Sequence, residues 1–553
     1  MNNSTNNNTK NITPNRIIFM MGGGNTKQWT ELIHNGPMFP PLYVPHKIPI
    51  YINGRIIRLN PLAEEYITMY CRYLDTEYIK IPKFNKNFLS DWRKTLGEIK
   101  VNSMDEINMN DIKKHLDKIK EDKKNMTKEM KDKIKKEMDT TDEPYKYCYI
   151  DGGKMKVGNF KIEPPGIFLG RGTHPKLGKI KPRITPEDVM INISKTAPIP
   201  KPNVSGNWGK IIHNNLVVWL ATWTDTINEK NKYIFTSMDS IFKSKSDTEK
   251  FDLAKKLKSK AHSIRTTYYS DMMNQNNITI QHATALYFID NLALRVGGKK
   301  DTKEKADTVG VTSLRVEHIT VFEDDIIKLD FLGKDSIRYC KKVKVDKLVY
   351  SNIKKLIENK NKHDILFDMI SPSSLNNYLD SMMKGLTAKV WRTYNASYLF
   401  QKELDKVDEK KLANLPDIER VNYLHSIFNM ANTAVAILCN HQKNVSTNLE
   451  KTLDTIDSKI KKYKNKLKVL KSKKGAQDKI KNITAKLLIL KMKKDTKIKM
   501  KNVSLGTSKQ NYIDPRIIIA FIKRYNIPED EIFNKAELTR FEWAKDVSKD
   551  YKF

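Results

Sequence analysis

Ten apolar residues between Leu453 and Leu490 constrain the chain more tightly than any other feature. Leu453, Ile456, Ile460, Tyr463, Leu467 and Leu470 follow one another at steps of 3, 4, 3, 4 and 3, and Ile480, Ile483, Leu487 and Leu490 repeat the steps 3, 4 and 3. Such spacing lays the apolar side chains along one stripe of a helix, and the stripe must be covered. Lys473-Lys474-Gly475 breaks the pattern, so the two helices are expected to fold back as an antiparallel coiled-coil hairpin. Residues 451–500 also hold 18 lysines against four aspartates. Lysines beside an apolar seam are ordinarily a solvated face; with so few acids, contact with phosphates stands beside that reading.

The excess is not confined to the hairpin. Lys and Arg number 100 against 64 Asp and Glu, a net charge of +36 over 553 residues. That points to a polyanion, nucleic acid first. No apolar run approaches the roughly eighteen residues that span a membrane, and Ile17 to Met21 is too short for the apolar region of a signal peptide. The expected setting is therefore intracellular, without a membrane partner. Cys71, Cys148, Cys340 and Cys439 form no close pair and support neither a zinc site nor a disulfide framework.

The length implies three or four domains. Residues 1–27 read as a disordered tail. A mixed region follows from Trp29, with strands expected over Ile48–Ile52 and Arg55–Leu59 about an Asn53-Gly54 turn, and a charged helical pair over Met109–Met138. Pro198 to Asn203 reads as a joint. Gln281–Arg295 is expected to be a helix ended by Gly297-Gly298. Ser313–Phe322, Ile326–Phe331 and Ser336–Val345 are expected to form a small antiparallel sheet, with helices resuming to His441.

Beyond the hairpin lies a polar run, Leu505-Gly-Thr-Ser-Lys-Gln-Asn-Tyr512-Ile-Asp-Pro-Arg516. A phenol beside cations can attack a phosphodiester and hold the broken strand covalently. That chemistry needs arginine forks for the charge that develops on the phosphate, a histidine donor and a positioned acid for the leaving oxygen. No carboxylate cluster of the two-metal kind is visible. Basic residues stand instead in short contexts: Leu292-Ala-Leu-Arg295, Phe331-Leu-Gly-Lys334-Asp-Ser-Ile-Arg-Tyr339, Leu386-Thr-Ala-Lys-Val-Trp-Arg392-Thr-Tyr-Asn-Ala-Ser397 and Ala436-Ile-Leu-Cys-Asn-His441-Gln. Singly, each has a structural reading: Arg295 as a helix C-terminal cation, Lys334 as a turn cation, His441 as a satisfied core histidine.

Together these contexts, with Ser508-Lys-Gln-Asn-Tyr512, closely resemble the eukaryotic-type DNA topoisomerase IB family. Phe160-Lys-Ile-Glu-Pro-Pro-Gly166, Gly170-Arg-Gly-Thr-His-Pro-Lys176, Pro186-Glu-Asp and Ala306-Asp-Thr-Val-Gly310 extend the resemblance from Trp29 to Phe553. It implies a multidomain α+β fold, a bilobed clamp on duplex DNA. The cap lobe (28–240) would be mixed. The catalytic lobe (241–441) would be mostly helical with a small antiparallel sheet, like a tyrosine recombinase. A coiled-coil linker (442–501) and a C-terminal domain (502–553) would follow.

The resemblance also implies roles. Tyr512 would be the nucleophile of a 3′-phosphotyrosine link. Arg295 and Arg392 would grip the scissile phosphate, His441 would hydrogen-bond a non-bridging oxygen, and Lys334 would protonate the 5′-oxygen. Arg171, His174, Lys176, Asp335 and Asn511 would meet DNA, with Arg171, Asp335 and Asn511 near the position where camptothecin-type inhibitors stack. The expected enzyme is a monomer that relaxes positive and negative supercoils without ATP, metal or other cofactor. The expected compartment is the nucleus, or a viral factory or virion should the chain be viral, as its Lys/Asn/Ile-rich composition allows. Two departures stand out. The family's long charged N-terminal extension is not seen before Trp29, and Val-Gly-Gly-Lys-Lys follows Arg295 where Ala-Gly-Asn-Glu-Lys is usual. Tyrosine recombinases are the enzymatic alternative, but they pair His-x-x-Arg where this chain has Lys389 before Arg392. A DNA-binding paralogue without activity is the other, and it predicts loss of at least one of the five catalytic residues.

Overall fold

The computed structural model describes residues 26–238, 240–443, 448–472 and 475–553. All but the last two residues of the expected N-terminal tail, and Lys473 and Lys474 of the expected hairpin turn, lie outside them. The fold is mixed α+β, about half helical with small sheets, and no helix among the described residues is long and apolar enough to cross a membrane. The chain divides into two compact units, one of residues 1–243 with 301–306 and one of residues 244–300 with 307–553.

The first unit has two apolar cores. One gathers Ile50, Ala63, Phe84, Phe88 and Trp92; the other gathers Trp29, Leu32, Phe39, Val189, Ile191 and Trp223. Ile50–Ile52 pairs antiparallel with Arg55–Ile57 across Asn53 and Gly54, both at positive φ, a tight hairpin turn as the Asn-Gly dipeptide predicts. The charged stretch forms the helices Asn110–Asn125 and Lys128–Asp142.

In the second unit most of the long helix α1 (Ile241–Asp271) and all of α2 (Asn277–Leu292) precede a three-stranded antiparallel sheet, β1 (Ile319–Val321), β2 (Ile326–Leu332) and β3 (Arg338–Lys344). Helices α3 (Ala388–Leu404) and α4 (Asp417–Leu438) follow, then α5 (Leu449–Lys471) and α6 (Gln477–Lys499). The short α7 (Leu505–Asn511) and α8 (Pro515–Tyr525) lie beyond. One core runs through most of these, with Phe288, Trp391, Phe400, Phe428, Ile489 and Ile518 in a single cluster.

Two expectations are corrected. Helix α2 starts at Asn277, because Asn276 accepts the Ile278 and Thr279 amides, and stops at Leu292, because Ala293 turns left-handed (φ +49). Gly297 does not end it; a Cβ there would lie 2.5 Å from Gly310 Cα, so the glycine serves the close crossing of two backbones. The first expected strand shrinks to Ile319–Val321. Upstream, Ser313 and His318 side chains accept the Gly310 and Arg315 amides and wind the chain into single 3₁₀ turns.

Eight of the ten stripe residues meet in one apolar cluster, without Leu453 and Ile480. Ile456, Ile460, Tyr463, Leu467 and Leu470 of α5 pack with Ile483, Leu487 and Leu490 of α6, and Lys494 pairs with Asp457 across the two helices at 2.6 Å.

Candidate active site

Arg392 is 4% exposed on α3. Its Nη1 donates to the Ala293 carbonyl and its Nη2 to the Cys439 carbonyl at 3.4 Å, while Nε has no partner among the described residues. Those carbonyls belong to the residues that terminate α2 and α4, where helix dipoles favour a cation. The position of α3 is fixed by Asp290 of α2, whose buried carboxylate accepts Trp391 Nε1 at 2.9 Å, Tyr268 Oη at 2.8 Å and both Arg265 Nε and Nη2.

Past the end of α4, Asn440 takes a positive φ of 52° and turns His441 inward, where it is 5% exposed. His441 Nδ1 meets Ser508 Oγ of α7 at 2.8 Å, and Nε2 is buried without a partner among the described residues. Burial first, then the Arg392, Arg295 and Lys334 charges, pull its pKa down to about 3. The imidazole is neutral at physiological pH.

Tyr512 closes α7 and lies beside both groups. Its ring centroid is 5.2 Å from that of His441, and the Arg392 guanidinium carbon stands 5.3 Å from it over the ring. Arg295, Lys334, Arg392 and His441 line one cavity of about 160 Å³, with Asp335, Tyr339, Cys439 and Thr507 also on its wall. Arg295 sits outside the helix that precedes it, its carbonyl accepting the Val311 amide at 2.9 Å. Lys334 opens the β2–β3 turn, as expected. Asp335 and Ser336 there take φ of +67° and +59°, a strained geometry for non-glycine residues that holds an exposed lysine at the cavity edge.

Tyr339 is the residue that sequence reasoning passed over. It stacks on Phe331 at 5.2 Å, and its hydroxyl is buried and partnerless among the described residues. Arg392 Nε, His441 Nε2 and Tyr339 Oη are thus three orphaned polar atoms on residues of one cation-rich cavity. Buried polar groups are seldom left unpaired, at about 1–3 kcal/mol each, unless a ligand is to complete them. An anion with several acceptor oxygens answers that need.

The remaining expected residues are placed differently. Asn511 is exposed at the end of α7, with its Nδ2 on the Thr507 carbonyl at 3.2 Å. Arg171 is exposed in the first unit between Gly170 and Gly172, both at positive φ. His174 is 8% exposed; its ring meets Phe168 edge-on at 4.8 Å and its Nδ1 accepts the Lys176 amide. It shapes the turn. Lys176 donates to the Ile227 carbonyl at 2.7 Å and pairs with Glu304 at 2.6 Å.

Similarity to known proteins gives this cluster a family. Models for the eukaryotic DNA topoisomerase I DNA-binding fragment, its catalytic core and the C-terminal topoisomerase domain match residues 27–236, 239–474 and 484–553. DNA topoisomerase 1 of Caenorhabditis elegans is 42% identical over 94% of this chain and 67% of its own length. DNA topoisomerase 1 of Homo sapiens is 39% identical, covering 95% and 72%.

The chain belongs to the eukaryotic DNA topoisomerase I family.

The human protein named DNA topoisomerase I, mitochondrial, is equally similar, 39% identical over 95% of this chain and 92% of its own length. A topoisomerase I is an isomerase, and its partner is DNA. The basic composition and the cation-lined cavity agree with that.

Proposed function

We propose that this chain relaxes supercoiled DNA by a type IB reaction in which Tyr512 attacks the scissile phosphodiester. The phosphate charge would be met by Arg295 and Arg392, whose forks suit two oxygens at once, and by a hydrogen bond from His441. Lys334, on its strained turn, would give its proton to the departing 5′-oxygen. The 3′-phosphotyrosine keeps the bond energy, the free 5′ end rotates to release torsional strain, and its hydroxyl reverses the attack. What supports this most is the Tyr512 ring flanked by His441 and Arg392 beside three unsatisfied polar atoms.

Within the same proposal residues 28–240 are the DNA-binding cap and 241–441 the recombinase-like catalytic core of a bilobed clamp. Residues 442–501 are a coiled-coil linker, and 502–553 carry the nucleophile. Arg171, Asp335 and Asn511 meet DNA near the cleavage point, Lys176 meets phosphate after leaving Glu304, and His174 holds the turn that presents Arg171 and Lys176. The enzyme acts as a monomer, its religation slows in camptothecin, and its compartment is nuclear.

The experiment is a suicide duplex whose cut releases a short downstream fragment. With the cleaved strand labelled at its 5′ end, label should migrate with the denatured protein. Attachment of a 3′ label instead, or of neither, contradicts the proposal.

A further inference from the structure

Ser508 is fully buried on α7, and its Oγ lies 2.8 Å from His441 Nδ1. No other partner for that hydroxyl is found among the described residues. A neutral imidazole has one proton for two nitrogens, and the partner of one nitrogen decides what the other presents. With the proton on Nδ1, the ring would donate to Ser508, the serine hydrogen would be left orphaned in the interior, and Nε2 would turn a lone pair toward an incoming phosphate. With the proton on Nε2, the serine hydrogen is satisfied by Nδ1 and the ring can donate to a phosphate oxygen. The second arrangement leaves fewer buried groups unmet.

We propose that Ser508 is a positioning residue for His441: its hydroxyl donates to Nδ1 and so holds the imidazole proton on Nε2, the nitrogen left for the cavity. The same residue also orders the nucleophile. The Ser508 carbonyl accepts the Tyr512 and Ile513 amides at 3.0 and 3.1 Å, and the His441 carbonyl accepts the Ser504 amide at 2.7 Å. One turn of α7 therefore registers the histidine through a side chain and the tyrosine through the backbone. The inference rests on the reading of His441 as a phosphate donor.

The test uses the full chain with ¹⁵N-labelled histidine. Two-bond ¹⁵N–¹H spectra of Tyr512→Phe bound to duplex DNA should show His441 protonated on Nε2 and bare on Nδ1. Ser508→Ala should mix or reverse the tautomers and slow single-turnover cleavage about tenfold, the loss of one buried hydrogen bond, with Ser508→Thr restoring both toward the parent. A proton found on Nδ1 in the Ser508 protein overturns the proposal, and that spectrum decides even where Ser508→Ala does not fold. An Ala variant with unmoved tautomer and rate overturns it too. A His441→Asn protein that cleaves like the parent would instead sink the underlying site reading; a defective His441→Asn beside an unaffected Ser508→Ala removes the serine's role alone.

Discussion

Ser397 holds the backbone of Tyr512 from the helix that carries Arg392. Its Oγ donates to the Tyr512 carbonyl at 3.0 Å and accepts the Asp514 amide at 3.0 Å. Ser397 is fully buried and lies on α3 with the arginine, so guanidinium and tyrosine share one rigid support.

Ser397→Ala removes both bonds and leaves a buried carbonyl and amide unmet. The expected loss of stability is about 1–3 kcal/mol, read as a lower thermal midpoint. Single-turnover cleavage should slow while DNA affinity holds, because the residue aims the tyrosine and touches no phosphate. A variant with weakened DNA binding and normal cleavage of bound DNA would contradict this role.

The depressed histidine fixes a pH dependence. His441 falls from the ordinary 6.5 to about 3 in the fold. Between those values the unfolded chain takes up a proton that the folded chain refuses. This group's contribution is therefore whole above about pH 6.5 and is lost as pH falls toward 3. His34, lowered to about 4, and His174, His282, His318 and His425, also lowered by burial, act in the same direction. The measurement is thus a difference: denaturation of His441→Gln should lose less stability between pH 6.5 and 4 than that of the parent. Equal slopes would mean that His441 titrates normally.

How much of this was legible beforehand depended on whether the signal was local. The Asn53-Gly54 turn is written in two adjacent residues and forms as expected, and the heptad seam is written in steps of three and four, with eight of its ten residues gathered in one cluster. Arg295 could be found by its context, but not the left-handed Ala293 that frees it from α2; alanine carries no mark of that conformation, which long-range packing imposes. Gly297 misled for the complementary reason, since its need for space is set by Gly310, a residue distant in sequence. Ser508 and Tyr339 stood inside the motifs already singled out. Nothing short of three dimensions shows that one reaches His441 and the other ends in a partnerless hydroxyl.

The hairpin is not uniform along its length. Its distal seam is a cluster of its own, whereas Ile489 of α6 is 3% exposed within the main core, and Lys493 donates to Asn422 of α4 at 2.9 Å. Removing residues 463–483 and closing the gap with a short glycine-serine link should leave a folded enzyme with an altered relaxation rate. Removing 446–500 takes Ile489 out of the core and should cost at least about 2 kcal/mol more. Equal thermal midpoints for the two truncations would refute the division.

The central claim is that Tyr512 performs the chemistry without ATP or a divalent metal. Plasmid relaxation in EDTA without nucleotide, comparing the intact protein with Tyr512→Phe, tests it most directly. The account predicts relaxed topoisomers from the intact protein and none from the phenylalanine variant, which should still bind DNA. Equal relaxation by both, or none by the intact protein, would contradict it.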